Sequence, residues 1–318
     1  MAKIQQISTL SGRGAGLLAK IMELYPLFEF AEFRTDTSFF PHVPDKSVFN
    51  NSAARAENAT AQRDANSPVA TGITQALYTR ELTVDLLRQL DAKIAGAPGL
   101  VNFAMRQLSN LALKIGQEVQ DHMLQGTGSN NQMLGLAQFV KDAAAAGQTA
   151  ALGFTTAEQA AMVVSSGSLQ VNTTANENAL VELLQSTLFQ VPGANAIILN
   201  QKAIARLTSI AKRIGALGQT VTEFGTLVNT FNNVPLVPVQ ASTQPSTETD
   251  GTNSDCTSIH VVRFAEEQGV CYSSNSGFYL QDFENAEVQP EGVARLSLHA
   301  NLVVERNDAY RRITRVRF

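Results

Sequence analysis

Two cysteines in 318 residues leave little scope for thiol chemistry. Cys256 and Cys271 cannot make a disulfide framework and lack the paired spacing of a zinc site, so small buried thiols are the expected state. Charge is scarce as well: Asp, Glu, Lys and Arg make up 16% of the chain, against about 25% in an average soluble protein. Asn, Gln, Ser and Thr take their place, as in 58-NATAQRDANS-67 and 241-ASTQPSTETDGTNS-254. Such a surface can lie against neighbouring subunits without isolated charges to desolvate. A formal net charge of -4 supplies no general attraction to nucleic acid or acidic membranes. No apolar run approaches the roughly 18 residues of a membrane helix, and the opening MAKIQQISTL has no apolar core of a secretion signal. Synthesis in a cytoplasm is expected, with no membrane partner.

Phosphate-cradling patterns are missing too. The run 12-GRGAGL-17 has Leu where a dinucleotide fingerprint needs its third glycine, and 126-GTGSNN-131 is not followed by Gly-Lys-Ser/Thr. A flexible arm and a helix-ending turn are the expected forms. His42, His122, His260 and His299 are too scattered to set two metal ligands on one helical turn or strand face. There is no Gly-x-Ser-x-Gly elbow, and paired carboxylates such as Glu266 and Glu267 read as solvated surface. One stretch does begin like a phosphate site: 196-AIILNQKAIARLTSIAKRIGA-216, a buried strand, then Asn200, then a helix carrying Lys202, Arg206, Lys212 and Arg213. Without glycines at its turn, Asn200 is expected as the helix N-cap. Ile204, Leu207, Ile210 and Ile214 form the expected buried stripe, and the basic residues face solvent or a neighbour. No catalytic residue, cofactor or metal site is expected.

What is present is a mixed α+β order. Residues 1 to 24 read as a mobile arm with at most a turn of helix at Gly16 to Leu24. The aromatic run 27-LFEFAEFRTDTSFFPHVP-44 reads as extended chain, Pro41 and Pro44 barring a central strand position. A polar excursion, 45-DKSVFNNSAARAENATAQRDANSP-68, follows it, and 69-VATGITQALYTREL-82 returns as a strand. Two extended segments joined by a long polar excursion form an outlying arm, and a hairpin alone is marginal in water. Phe39, Phe40 and Phe49 are therefore expected to rest on another subunit, with Arg55, Arg63, Arg311 and Arg312 as further subunit contacts.

A short helix is expected over 83 to 94, then a long one from Gly99 to the glycine-rich turn at Gly126, about 25 residues and some 38 Å. Helical patterns recur at 138 to 146, 176 to 190 and 201 to 214. Strands are expected at 195 to 200, on both sides of a turn at Asn232 and Asn233, at 257 to 264, 277 to 283, 293 to 306 and 310 to 318. Residues 240 to 256 read as an exposed loop. Alternation in 311-RRITRVRF-318 puts Arg312, Thr314, Val316 and Phe318 on one face and Arg311, Ile313, Arg315 and Arg317 on the other. That pattern suits a charged edge strand or salt bridges across a subunit interface, with contact to nucleic-acid phosphates a weaker third reading.

The order of these segments resembles the major capsid protein family of tailed bacteriophages, whose shell fold is shared with encapsulins. The resemblance is carried by 81-ELTVDLLRQL-90, the long helix with 126-GTGSNNQMLGL-136, the pair 196-AIILNQKAIARLTSI-210 and 233-NVPLVPV-239, and the closing strands 259-IHVVRFAEEQGVCYSSNSGFYLQDF-283 and 295-RLSLHANLVVERNDAYRRITRV-316. Each motif is weak alone, but their order and spacing span nearly the whole chain.

The resemblance implies an N-terminal arm (1 to 26) and an extended loop (27 to 80). It also implies a peripheral domain (81 to 140 and 287 to 308) with its spine helix over 99 to 125, and an axial domain (141 to 286 and 309 to 318). The implied role is structural: hexamers and pentamers of an icosahedral virion head around double-stranded DNA, which is touched only non-specifically. With 26 residues before the loop, a separate scaffolding protein is implied, together with a portal and possible decoration proteins. Lys46 lies where some members cross-link, but a lone lysine on a polar loop reads as surface. The rivals are an encapsulin-type compartment shell and, from another class, a nucleotide-using α/β enzyme built on 196 to 216.

Overall fold

The computed structural model describes residues 3–4, 8, 13–45, 71–85, 98–141, 149–221, 225, 227–240, 242–249, 252–283 and 291–318. Its longest element is helix α3, Pro98–Gln125, 28 residues beginning on a proline, which is preorganised for a first helical position. Leu108, Ala112, Ile115, Val119 and Met123 recur every three or four residues along it, and all are buried. The helix stops at Gly126, whose N–H reaches the His122 carbonyl at 2.9 Å. A Cβ there would lie 2.2 Å from the Met133 carbonyl oxygen, so the chain can double back only on glycine. Asn130 and Asn131, both at positive φ, make the tip of that turn, a conformation asparagine tolerates. The short helix α4, Leu136–Phe139, follows.

Among the described residues, the helix just before Tyr25 packs on α3. Residues Arg13–Leu24 form α1, with Leu17, Leu18, Ile21 and Met22 buried. The expected mobile arm is thus a docked helix over this stretch, because those four positions and Tyr25 fall on one helical face. Tyr25 fixes the contact by donating its hydroxyl hydrogen to the Leu113 carbonyl at 2.9 Å. Leu27–Phe30 is a single turn of helix, α2, not extended chain, because Leu27 and Phe28 are drawn into the core together.

The first sheet has five strands centred on β13, Glu291–Val304. The strand β4, Ala76–Asp85, runs antiparallel to it from Ala76 opposite Ala300 to Asp85 opposite Glu291. The strands β12 (Phe278–Phe283) and β11 (Val270–Ser274) also pair with β13, and β1 (Phe33–Thr35) lies parallel to β11. Residues 83 to 85, where the start of a helix is expected, instead continue β4 because β13 offers them a ladder; the rest of that expected helix, and most of the one at 138 to 146, lie outside the described residues. A separate two-stranded ribbon joins β2 (Phe39–His42) to β3 (Thr71–Thr74).

The second sheet has seven strands in the order β5-β14-β10-β6-β9-β8-β7. These are β5 (Val163–Ser165), which follows the short helix α5 (Thr156–Ala160), β6 (Ala196–Asn200), β7 (Leu217–Val221), β8 (Leu227–Phe231), β9 (Val234–Val239), β10 (Thr257–Val262) and β14 (Tyr310–Val316). All five residues of β6 are buried, the signature of a strand covered on both faces. On one side Ile197, Leu199, Ile259, Val261 and Ile313 meet helices α6 (Thr174–Gln190) and α7 (Gln201–Arg213). On the other, Ala196, Ile198, Val237, Val262 and Tyr310 join one continuous core with α1, α3 and the first sheet. The expected turn between β8 and β9 is present, with Asn232 and Asn233 both at positive φ, as a two-residue hairpin turn requires.

Two expectations fail here. The stretch 240 to 256 is not simply an exposed loop: Thr243 and Gln244 are fully buried, because their N–H groups turn back onto the Gln240 carbonyl and the Gln244 amide donates to Ser258 O. The C-terminal strand is not an edge but lies between β10 and β5. Arg312, Ile313 and Thr314 are all buried because both faces of this strand are covered, and the alternation breaks at Arg315, which takes φ 62°, so that Val316 joins Ile313 in the core under α6 and α7. Gly126→Ala is expected to cost about 3 kcal/mol of stability, read as a lowered urea midpoint with an unchanged m-value.

Candidate assembly surface

The β2·β3 ribbon is where the predicted contact residues begin. Phe39, Pro41 and Val43 face outward and Phe40, His42 and Pro44 inward, as the two-residue period of a strand requires. Phe39 is 64% exposed and Val43 44%. The Phe39 ring lies over Gly72, where a Cβ would sit 2.8 Å from two ring carbons. Leu77, 50% exposed at the start of β4, extends the apolar face. Phe40 instead is buried, with the Arg34 guanidinium 5.4 Å from its ring centroid. Phe49, Arg55 and Arg63 lie outside the described residues.

Polar bonds brace both ends of this ribbon. His42 Nε2 meets the Val304 carbonyl at 3.0 Å, and the Asp45 N–H donates to Glu305 O at 2.7 Å. Arg34 binds Asp36 at 2.6 Å and Glu305 at 2.5 Å. Burial holds the His42 pKa below its ordinary value, against the pull of Glu305. Asn301 donates to the Thr74 carbonyl at 2.7 Å from β13. The ribbon is thus held at its Thr74 end by Asn301 and at its His42 end by the close of β13, and is bare on its outer face.

The C-terminal arginines are placed differently from one another. Arg311 is half-buried and donates to the Asn307 carbonyl at 2.6 Å and to Gln190 Oε1 at 3.3 Å. Arg312 is buried, and its fork is spent inside its own chain. Nη1 donates to the Ala137 and Val140 carbonyls at 2.6 and 2.8 Å, Nε to Ser258 Oγ at 2.9 Å, and Nη2 to Glu248 at 2.7 Å. It therefore fastens the chain after α4 to β10 and to the loop before it. Arg317 pairs with Asp255 at 2.7 Å and Arg306 with Asp308 at 2.9 Å. Sequence reasoning missed Glu248 as the partner, since nothing local marks one carboxylate in a polar loop. It also missed Val221 and Leu227, which face each other at the open end of β7 and β8 and are both more than half exposed.

At the stretch that began like a phosphate site, Asn200 closes the helix end itself. Its Oδ1 accepts the Ala203 N–H at 2.8 Å, and its Nδ2 donates to Ser246 and Thr257 at 3.0 and 3.2 Å. Leu207 and Ile210 are buried as expected, and Ala203 and Ala211 complete the stripe in place of Ile204, which is only partly buried, and Ile214. Ile214 is 42% exposed because the helix ends before it. Arg206 and Arg213 converge on the buried Glu177 carboxylate. Cys256 and Cys271 are both free and buried, and burial pushes the Cys271 thiol pKa up. A groove of about 430 Å³ runs between α1, α7 and the β8–β9 hairpin, lined mainly by Met22, Pro26, Ile204, Leu227, Leu236 and Pro238, with Glu23 and Glu29 in its wall. Among the described residues no group of three His, Cys, Asp or Glu side chains is placed to hold a metal ion. No helix of the described residues is long and apolar enough to cross a membrane.

No family model and no curated protein matches this chain. Solved structures do. The SrpI encapsulin of Synechococcus elongatus PCC 7942 is 16% identical, with a TM-score of 0.58 over 97% of this chain and 89% of that one. The capsid of a native GTA particle gives 14% identity and 0.55 over 91% and 89%, and a virus-like particle from Pyrococcus furiosus 9% and 0.51 over 94% and 96%. The architecture is therefore the α+β fold of shell-forming proteins. More closely, it is the fold that tailed-phage major capsid proteins share with encapsulins. Arg312→Met is expected to destabilise the chain by about 3 kcal/mol, since it takes the guanidinium from the Glu248 carboxylate and the donors from two buried carbonyls; an unchanged thermal midpoint would refute that account.

Proposed function

We propose that the chain is the major capsid protein of a tailed-phage-type particle, assembling with copies of itself into an icosahedral virion head around double-stranded DNA. The carrying observation is that the shell fold extends over nearly the whole chain while its outlying ribbon leaves Phe39, Val43 and Leu77 uncovered. An apolar face on a ribbon that is braced at its ends and uncovered on its outer side fits a surface that a neighbouring copy covers. In this reading residues 1 to 26 are the N-terminal arm and 27 to 80 the loop that crosses the next subunit. Residues 81 to 140 and 287 to 308 form the peripheral domain, and 141 to 286 with 309 to 318 the axial domain. Closed rings of five and six copies use two different complementary faces per subunit. A scaffolding protein and a portal are partners, with decoration proteins a further class, and the role is structural, without catalysis.

The second reading is an encapsulin-type compartment, supported by the likeness to the encapsulin, whose TM-score of 0.58 exceeds the 0.55 of the GTA capsid. Particle contents separate the two: packaged double-stranded DNA marks a head, and enclosed protein without DNA marks a compartment. Electron microscopy of the purified protein tests both, with icosahedral or tubular assemblies expected and a stable small oligomer counting against either. Deleting residues 45–66 is expected to leave a foldable subunit that no longer forms particles. Phe39→Asp is expected to reduce particle yield at least tenfold while shifting subunit stability by no more than about 0.5 kcal/mol, as for an exposed surface position.

A further inference from the structure

Phe189 is the most exposed large apolar side chain among the described residues, at 85%. It stands one residue before the end of α6, on a corner whose other half is basic, since Oε1 of its neighbour Gln190 accepts from Arg311 Nε at 3.3 Å. Nη1 of Arg311 donates to the Asn307 and Tyr310 carbonyls. Among the described residues its Nη2 bonds nothing and no carboxylate lies within ion-pair distance of it. Burial lowers the Arg311 pKa against the pull of Asp308, so this guanidinium has lost water without gaining an anion.

The far side of the second sheet carries the reverse arrangement. The groove between α1, α7 and the β8–β9 hairpin is hollow where Phe189 projects, apolar at Met22, Ile204, Leu227 and Leu236, and acidic at Glu23. Glu23 is exposed and has no cationic partner among the described residues. Leu227, 59% exposed, carries the apolar surface across to Val221, 63% exposed. The groove's volume of about 430 Å³ compares with ~150 Å³ for an apolar cavity that holds one benzene ring, so a phenyl ring and some of the chain beside it fit. Phe189 cannot fill the groove of its own chain. Four strand spacings, about 19 Å, separate β14 beside Phe189 from β8 in the groove wall, far beyond the reach of one side chain.

We propose that the Phe189 corner of one copy docks in the groove between α1 and α7 of the next, with Arg311 set against Glu23. A projection and its socket on opposite sides of one sheet make a heterologous contact, the kind that closes rings when repeated head to tail. Charge favours a second copy over a neutral apolar peptide: either would cover Leu227 and Ile204, but only the second copy pairs Glu23 with Arg311. The inference rests on the self-assembly proposed above and names the two surfaces that meet.

Photo-cross-linking of the full chain tests the contact, with Phe189 replaced by benzoylphenylalanine and isotope-labelled copies mixed with unlabelled ones before irradiation. Mass spectrometry is expected to find position 189 joined to residues 19–26 or 227–238, the segments that line the groove, in pairs of mixed label as links between copies require. Particles that form without these links overturn the docking and leave the shell reading standing. Links found in oligomers that never close into particles support the docking and count against the shell. Neither links nor particles overturns both, and links from position 189 to a foreign polypeptide give this corner another partner and overturn the docking. Should the probe disturb folding, Glu23→Arg decides. It sets two cations face to face and is expected to lower self-association by about tenfold or more; an unchanged level overturns the proposal.

Discussion

The seven-stranded sheet must be covered on both faces, and most of the molecule follows from how this is done. A strand such as β6, buried at every residue, gains stability only if two separate cores reach it. Helices α6 and α7 supply one, and α1, α3 and the first sheet supply the other. Where the second core ends, the chain leaving α4 carries carbonyls that neither helix nor sheet satisfies. Buried acceptors of that kind are costly unless bonded, and the Arg312 fork meets two of them while holding Ser258 and Glu248. One side chain on a central strand thereby joins the region after the spine helix to the sheet and to its covering loop.

The β2·β3 ribbon obeys the opposite constraint. It has two strands and, among the described residues, no second layer over its outer face, so its order depends on what holds its ends. His42 and Asp45 bind one end to the close of β13, and at the other Asn301 binds Thr74 just before β4 joins its ladder. Its exposed apolar residues are the part of this chain least explained by the chain's own folding. The contrast with the basic C-terminus is instructive: Arg312, Arg317 and Arg306 have acidic partners at home, whereas the Phe39 ring, lying over Gly72, is 64% exposed.

Local physics made some elements readable in advance. The spine helix, its glycine stop, the Asn200 cap and the Asn232–Asn233 turn each depend on residues within a few positions of one another. The α+β class followed from their order. The N-terminal helix was harder to read because its glycines argue for mobility, and its apolar face has value only when α3 is beside it. The α7 stripe was read correctly at Leu207 and Ile210, but the sheet buries Ala203 and Ala211 beside them in place of Ile204 and Ile214. At the surface, the alternation of Phe39 and Phe40 was visible, but their roles split: one faces out and the other lies under Arg34.

The sequence by itself determined the long spine helix, the α7 helix with its Asn200 cap, the buried β6 strand and the turns at Gly126 and Asn232–Asn233, because these rest on neighbours along the chain. Only the tertiary structure decided that the last strand is central, that Thr243 and Gln244 are buried, and that Arg312 answers to Glu248 across 64 residues. Burial and pairing at such separations depend on which surfaces meet when the two sheets close on α3, and no local pattern of residue types carries that information.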